Sequence, residues 1–120
     1  MRVAIVGSRT FRDKDLLWKT MDGLTYDGKP VTPALIVSGG ASGADTLGEA
    51  WAKAHSIPIK IFKPDWLKYG RAAGPIRNRD IVKEADLIVA FWDGVSKGTL
   101  STRNEARKAG KPFICVKFEC

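Results

Sequence analysis

Three groups of residues in this chain are spaced so that they can hold a phosphate. The first group is a pair of glycine-bearing turns. One is Gly7-Ser8-Arg9-Thr10, directly after an apolar run. The other is Ser38-Gly39-Gly40-Ala41-Ser42-Gly43-Ala44-Asp45, after a second apolar run. Glycines let the backbone approach a ligand closely, and a helix that follows offers unpaired N–H groups and a positive dipole end. Arg9 strengthens the first turn, because a guanidinium grips phosphate through two parallel bonds. Asp45 has two roles open to it: it can complement the helix dipole, or accept from a ribose hydroxyl. The second group is Arg77 and Arg79, two residues apart on a helix with Asp80 beside them. They cannot share one helix face, so one points into a crevice while the other is solvated. The third group is Thr99, Ser101 and Thr102, hydroxyls clustered after Gly98 where a helix begins; plain capping needs only one of them. Trp92, at a strand end, either stacks on a base or is a buried indole. Glu105 lies one helical turn beyond Thr102, either toward the same cleft or in solvent.

Such groups need strands and helices to bring them together, and the chain alternates between the two. Strands are predicted over 2–6, 34–37, 57–62, 86–91 and 113–118. Helices are predicted after Asp13 (with Leu16, Leu17, Met21 and Leu24 on one face), over 43–55, from Pro75 to about Ala85, and over 98–109. The stretches 26–33 and 64–74 are rich in Gly, Pro and turn residues and read as irregular. Five short apolar strands separated by helices imply an α/β fold, a single Rossmann-like, doubly wound sheet of mainly parallel strands with helices on both faces. In such a sheet ligands bind at the carboxyl ends of the strands. The 120 residues read as one domain, 1–120, without internal repeats.

The net charge of +7 serves either solubility or attraction to phosphates, in a small ligand or in nucleic acid. His55 and the two cysteines have no metal-ligand spacing, so no metal and no cofactor are expected. Cys115 lies in an apolar run and reads as a buried core thiol, while Cys120 ends the sequence. The first residues read as a strand and not a signal sequence. No apolar run approaches the ~20 residues of a membrane helix. A cytoplasmic location without membrane contact is expected.

Taken together, these stretches resemble the SLOG superfamily, and within it the small YspA-like (YpsA-related) proteins. The likeness rests on Val6-Gly7-Ser8-Arg9, on 38–45, on Gly70-Arg71-Ala72-Ala73-Gly74-Pro75-Ile76-Arg77-Asn78 and on Gly98-Thr99. It implies a Rossmann-like sheet and a nucleotide-derived ligand. More distantly the chain resembles the Lonely guy phosphoribohydrolases, which split a nucleoside monophosphate into base and ribose 5-phosphate. That likeness puts Arg77 on their functional arginine, Asn78 on their lysine and Gly98-Thr99 on their Gly-Thr. Their catalytic glutamate falls on Thr102, which has no carboxylate; Glu105 or Asp45 would have to replace it. The chain also resembles the DNA-processing protein A family, which shares both glycine turns and binds single-stranded DNA.

Three functions follow, in this order. First is binding of a nucleotide or nucleotide-derived phosphorylated ligand, for sensing or sequestration. Second is an N-glycosidase acting on a nucleoside phosphate, with Arg77, Glu105 and Asp45 as its candidate catalytic residues. Third is a module for single-stranded nucleic acid. Self-association is compatible with all three.

Overall fold

Strand β1 (Arg2–Gly7) is the centre of the molecule, with Val3, Ala4 and Ile5 fully buried. A strand buried on both faces must be apolar, and from Val3 to Gly7 this one is. In the computed structural model, which describes residues 1–116, it pairs in parallel with β4 (Leu35–Ser38) on one side and β6 (Leu87–Phe91) on the other. Outer strands β5 (Ile59–Ile61) and β7 (Phe113–Val116) complete a five-stranded parallel sheet in the order β5-β4-β1-β6-β7.

Residues alternate across this sheet and build two cores. Val3, Ile5, Ile36, Leu87, Val89 and Phe91 face helices α1 (Lys14–Asp22) and α2 (Ala44–Ala54). Ala4, Val6, Val37, Ile88 and Ala90 face α4 (Ala73–Glu84) and α5 (Lys97–Ala109). The sheet is therefore doubly wound. The chain moves outward from β1 to β4 and β5, then returns through α4 to β6 on the other side of β1. That reversal separates the loops after β1 and β6 and opens a crevice between them.

Local signals explain several helix ends. Asp13 caps α1 by accepting from the Leu16 N–H at 3.0 Å. Pro75 sits in the first turn of α4, where its missing N–H costs nothing. Gly110 ends α5 in the left-handed conformation, with φ +68°.

Both stretches expected to be irregular contain short elements. Residues 26–33 include a two-stranded hairpin, β2 (Thr25–Tyr26) with β3 (Lys29–Pro30). Its turn is Asp27-Gly28, both at positive φ (55° and 76°), the backbone that a tight hairpin demands. Within 64–74, Asp65 caps the four-residue helix α3 (Trp66–Tyr69), and a 3₁₀ turn over Gly70–Ala72 leads into α4. Cys115 is exposed, not a buried core thiol. Among the described residues, β7 is an outer strand paired only with β6, and none of its residues is fully covered. The predicted strand end at Phe118 and Cys120 lie outside the described residues. Among the described residues, no helix is long and apolar enough to cross a membrane.

Helix α2 approaches β1 so closely that Gly48 has no room for a side chain. An added Cβ would lie 2.6 Å from Ile5 Cγ2 and 2.9 Å from Ile5 Cβ. Gly48→Ala should therefore destabilise the fold by about 1–3 kcal/mol, despite alanine's better helix propensity. Urea unfolding measures it, and an unchanged or raised midpoint would show that α2 can shift outward freely.

Candidate functional site

The two glycine turns are locked against each other at the crevice. Gly43 stands at the N-terminus of α2 with φ +78°, and a Cβ there would overlap the carbonyl oxygens of Ser8 and Arg9. The Ala44 N–H donates to the Ser8 carbonyl at 3.2 Å. Gly7 is equally confined: a Cβ would overlap the Phe91 carbonyl oxygen and approach the Ala44 methyl to 2.8 Å. The carboxyl ends of β1, β4 and β6 thus meet because glycines let backbone touch backbone. Ser8 fastens the third loop. Its buried hydroxyl accepts from the Asp93 N–H at 3.1 Å and lies 3.0 Å from Ser96 Oγ. Asp93 in turn accepts from the Val95 and Ser96 N–H groups, which hold its carboxyl below the usual carboxylate range.

Asp45 and Arg77 face each other across Gly39. Asp45 Oδ2 accepts from the Gly39 N–H at 3.2 Å and the Ala41 N–H at 3.3 Å. Arg77 donates from Nη1 to the Gly39 carbonyl at 2.8 Å and from Nε to Asn78 Oδ1 at 2.9 Å. Asn78 Nδ2 reaches the Gly98 carbonyl at 3.3 Å, which also accepts from Thr102 Oγ1 at 3.2 Å. A chain of polar contacts therefore runs from the loop after β4, through α4, to the start of α5. Burial pushes the Asp45 carboxyl up to about 6, with Glu49 adding to the shift; the two amides and Arg77 oppose it. Burial lowers the Arg77 guanidinium, and repulsion from Arg9 adds to this against the attraction of Asp45. Gly39 must be glycine here, since a Cβ would lie 2.6 Å from Arg77 Nη1 and 2.8 Å from Asp45 Oδ2.

These groups border a cavity of about 330 Å³. Of the residues singled out in the sequence, Gly7, Arg9, Thr10, Asp45, Arg77, Asn78, Gly98, Thr99 and Thr102 line it. Gly39, Gly40 and Ser42 line a depression beside it. Ser8, Ser38 and Gly43 stand behind the wall; Ser38 donates to Glu49 at 2.7 Å and accepts from the Gly40 N–H at 3.2 Å. Trp92 and Ser101 do not line the cavity. Trp92 is the buried indole, its Nε1 donating to the Ser96 carbonyl at 3.1 Å. Glu105 does not line it either, and its carboxylate lies 3.7 Å from Lys108 Nζ. Arg79 is exposed, so Arg77 is the arginine turned inward.

The sequence reading did not single out Ala41, Ile81, Asp93, Ser96 or Lys97, which also border the cavity. Asp93-Gly94 after a run of six apolar residues was the available signal for a turn at the strand's carboxyl end. Ser96 carries the most information. It is the N-cap residue of α5, yet its hydroxyl makes no capping bond; it turns instead to Ser8 and Asp93. The first turn of α5, Lys97-Gly98-Thr99, therefore meets the cavity without a side-chain cap. By contrast, the amides of Gly39, Gly40 and Ala41 are already satisfied by Asp45 and Ser38.

Comparison with known proteins agrees with this architecture. The model of the YAcAr family (YspA, cpYpsA-related SLOG family) matches residues 1–69. The Gene 61 protein of Mycobacterium phage D29 is 34% identical over 119 residues, covering 94% of both chains. Among solved structures, DNA processing protein A (DprA) from Streptococcus pneumoniae superposes with a TM-score of 0.76 at 21% identity. That superposition covers 98% of this chain and 50% of the other, so the present chain spans about half the length of that relative.

Proposed function

The chain belongs to the YspA, cpYpsA-related SLOG family, and from that premise we propose that it binds a nucleotide or nucleotide-derived phosphorylated ligand, to sense or sequester it. The observation that carries this reading is the uncapped first turn of α5 at a cavity also lined by Arg77, Arg9 and Lys97. Unpaired N–H groups, a helix dipole and fixed cations are what a phosphate requires. A volume of about 330 Å³ suits a small-molecule ligand. Binding without rapid cleavage is favoured because no side chain on α5 brings a carboxylate to the cavity. Thr102 bonds the Gly98 carbonyl, and Glu105 is turned to Lys108.

One observation supports a second reading, glycosidic hydrolysis. Asp45 lines the cavity with its carboxyl raised to about 6, a condition suited to acid–base work near neutral pH. The DNA-processing neighbour and the net charge of +7 keep nucleic acid as a third.

Calorimetry with a panel of nucleotides, followed by chromatography of the recovered ligand, separates the three. A nucleotide should bind and return intact. Its log affinity should fall with log salt by a slope of about 1 to 2, because few phosphates are neutralised. Base release that disappears in Asp45→Asn would make the chain an enzyme. Tight binding of single-stranded oligonucleotides with a slope of about 5 or more would overturn the small-ligand reading.

A further inference from the structure

A second depression of about 440 Å³ adjoins the crevice and shares Arg9, Ala41 and Arg77 with it. Its floor is the loop after β4, and its far wall is Lys63, Pro64 and Trp66. Gly40 keeps that floor bare. Its φ is +71°, and a Cβ would lie 3.0 Å from Ile61 Cγ2. Trp66 is 54% exposed, an unfavourable state for so large an apolar ring. The ring is braced, however. Its Cη2 leans over Gly74 of α4, where an added Cβ would lie 3.6 Å away. A braced, open indole on the wall of a cationic hollow is suited to stacking on a flat ring. Arg9 and Arg77 stand at the junction of the two hollows, close enough for Arg9 to lower the proton affinity of Arg77. An anion between two such cations relieves their repulsion.

We propose that this depression is a second subsite for the same ligand, which carries two phosphates and a second aromatic half. One phosphate lies on the first turn of α5 beside Arg77, the other at the Arg9–Arg77 junction, and the second ring stacks on Trp66. The inference rests on the nucleotide reading above and narrows it to dinucleoside pyrophosphates and nucleoside diphosphates that bear a second ring.

The test compares nucleoside 5′-diphosphates with the matching dinucleoside pyrophosphates by calorimetry. Both sets carry two phosphates, and the dinucleotides carry less negative charge, so a gain in affinity reports the second half. The dinucleotide should bind about 10-fold tighter. Trp66→Ala should remove that gain and leave diphosphate binding unchanged, while Trp66→Phe should keep most of it. Equal affinity of the two sets, or a loss in Trp66→Ala shared equally by both, overturns the second subsite and leaves the nucleotide reading intact. Failure of both sets to bind overturns the nucleotide reading, and this inference with it.

Discussion

Replacing Arg77 with alanine should weaken nucleotide binding by about 100-fold, the scale expected when one partner of a charge-assisted contact in a partly buried site is removed. Arg77 is half-buried, lines both hollows, and is held in place by the Gly39 carbonyl and the Asn78 side chain. Its orientation is thus set before a ligand arrives, and little entropy is lost on binding. Arg77→Lys should lose about 10-fold, since an ammonium keeps the charge but not the planar fork. Calorimetry at fixed salt measures both variants, with circular dichroism to confirm that each is folded. Affinity of folded Arg77→Ala within about 3-fold of wild type would place the phosphate elsewhere, on α5 and Lys97 alone.

Asp45 should give the chain an unusual pH dependence. Its carboxyl ionises near 3.8 in the unfolded chain and near 6 in the folded one. Between those values the folded state binds more protons than the unfolded state, so stability falls as pH rises. The cost is absent below the unfolded value and complete above the folded one. A shift of this size corresponds to about 3 kcal/mol at neutral pH. Asp45→Asn keeps an oxygen that can accept from the Gly39 and Ala41 N–H groups but carries no charge. The variant should therefore gain on wild type by about 2–3 kcal/mol between pH 4 and pH 7, read as the difference between two urea-unfolding series. Using the difference removes the opposite trend of Glu84, Asp86 and Asp93, whose carboxyls are all lowered in the fold. A difference that stays flat with pH would mean that Asp45 ionises normally despite being 6% exposed.

The order of the main strands and helices was legible in the sequence because each central strand holds a short apolar run and helices α1, α4 and α5 have a visible start or stop. Asp13, Pro75 and Gly110 mark those ends by local chemistry that needs no tertiary contact. The glycines of both phosphate-type turns were legible for the same reason. Their task is decided by the fold, though. Gly7 and Gly43 are small so that backbone can pack on backbone, and Gly39 is small so that Arg77 and Asp45 can face each other. Asp27-Gly28 is a hairpin signal, but strands of two residues carry no periodicity to support it.

The sequence by itself determined the α/β alternation, the presence of donors at three strand ends and the need for a crevice between them. Only the tertiary structure decided which donors remain available. Asp45 and Ser38 use the amides of Gly39, Gly40 and Ala41, whereas Ser96, drawn away by Ser8, leaves the first turn of α5 uncapped. It also decided that Arg77 turns inward while Arg79 is exposed, and that Glu105 and Trp92 lie off the cavity. The physical reason is common to all of these. Spacing fixes where a residue falls along its own element, but hydrogen-bond partners come from segments as far as 88 positions away, as for Ser8 and Ser96. Most buried polar groups are satisfied within the fold, and packing chooses which helix start is left without a side-chain cap at the cavity.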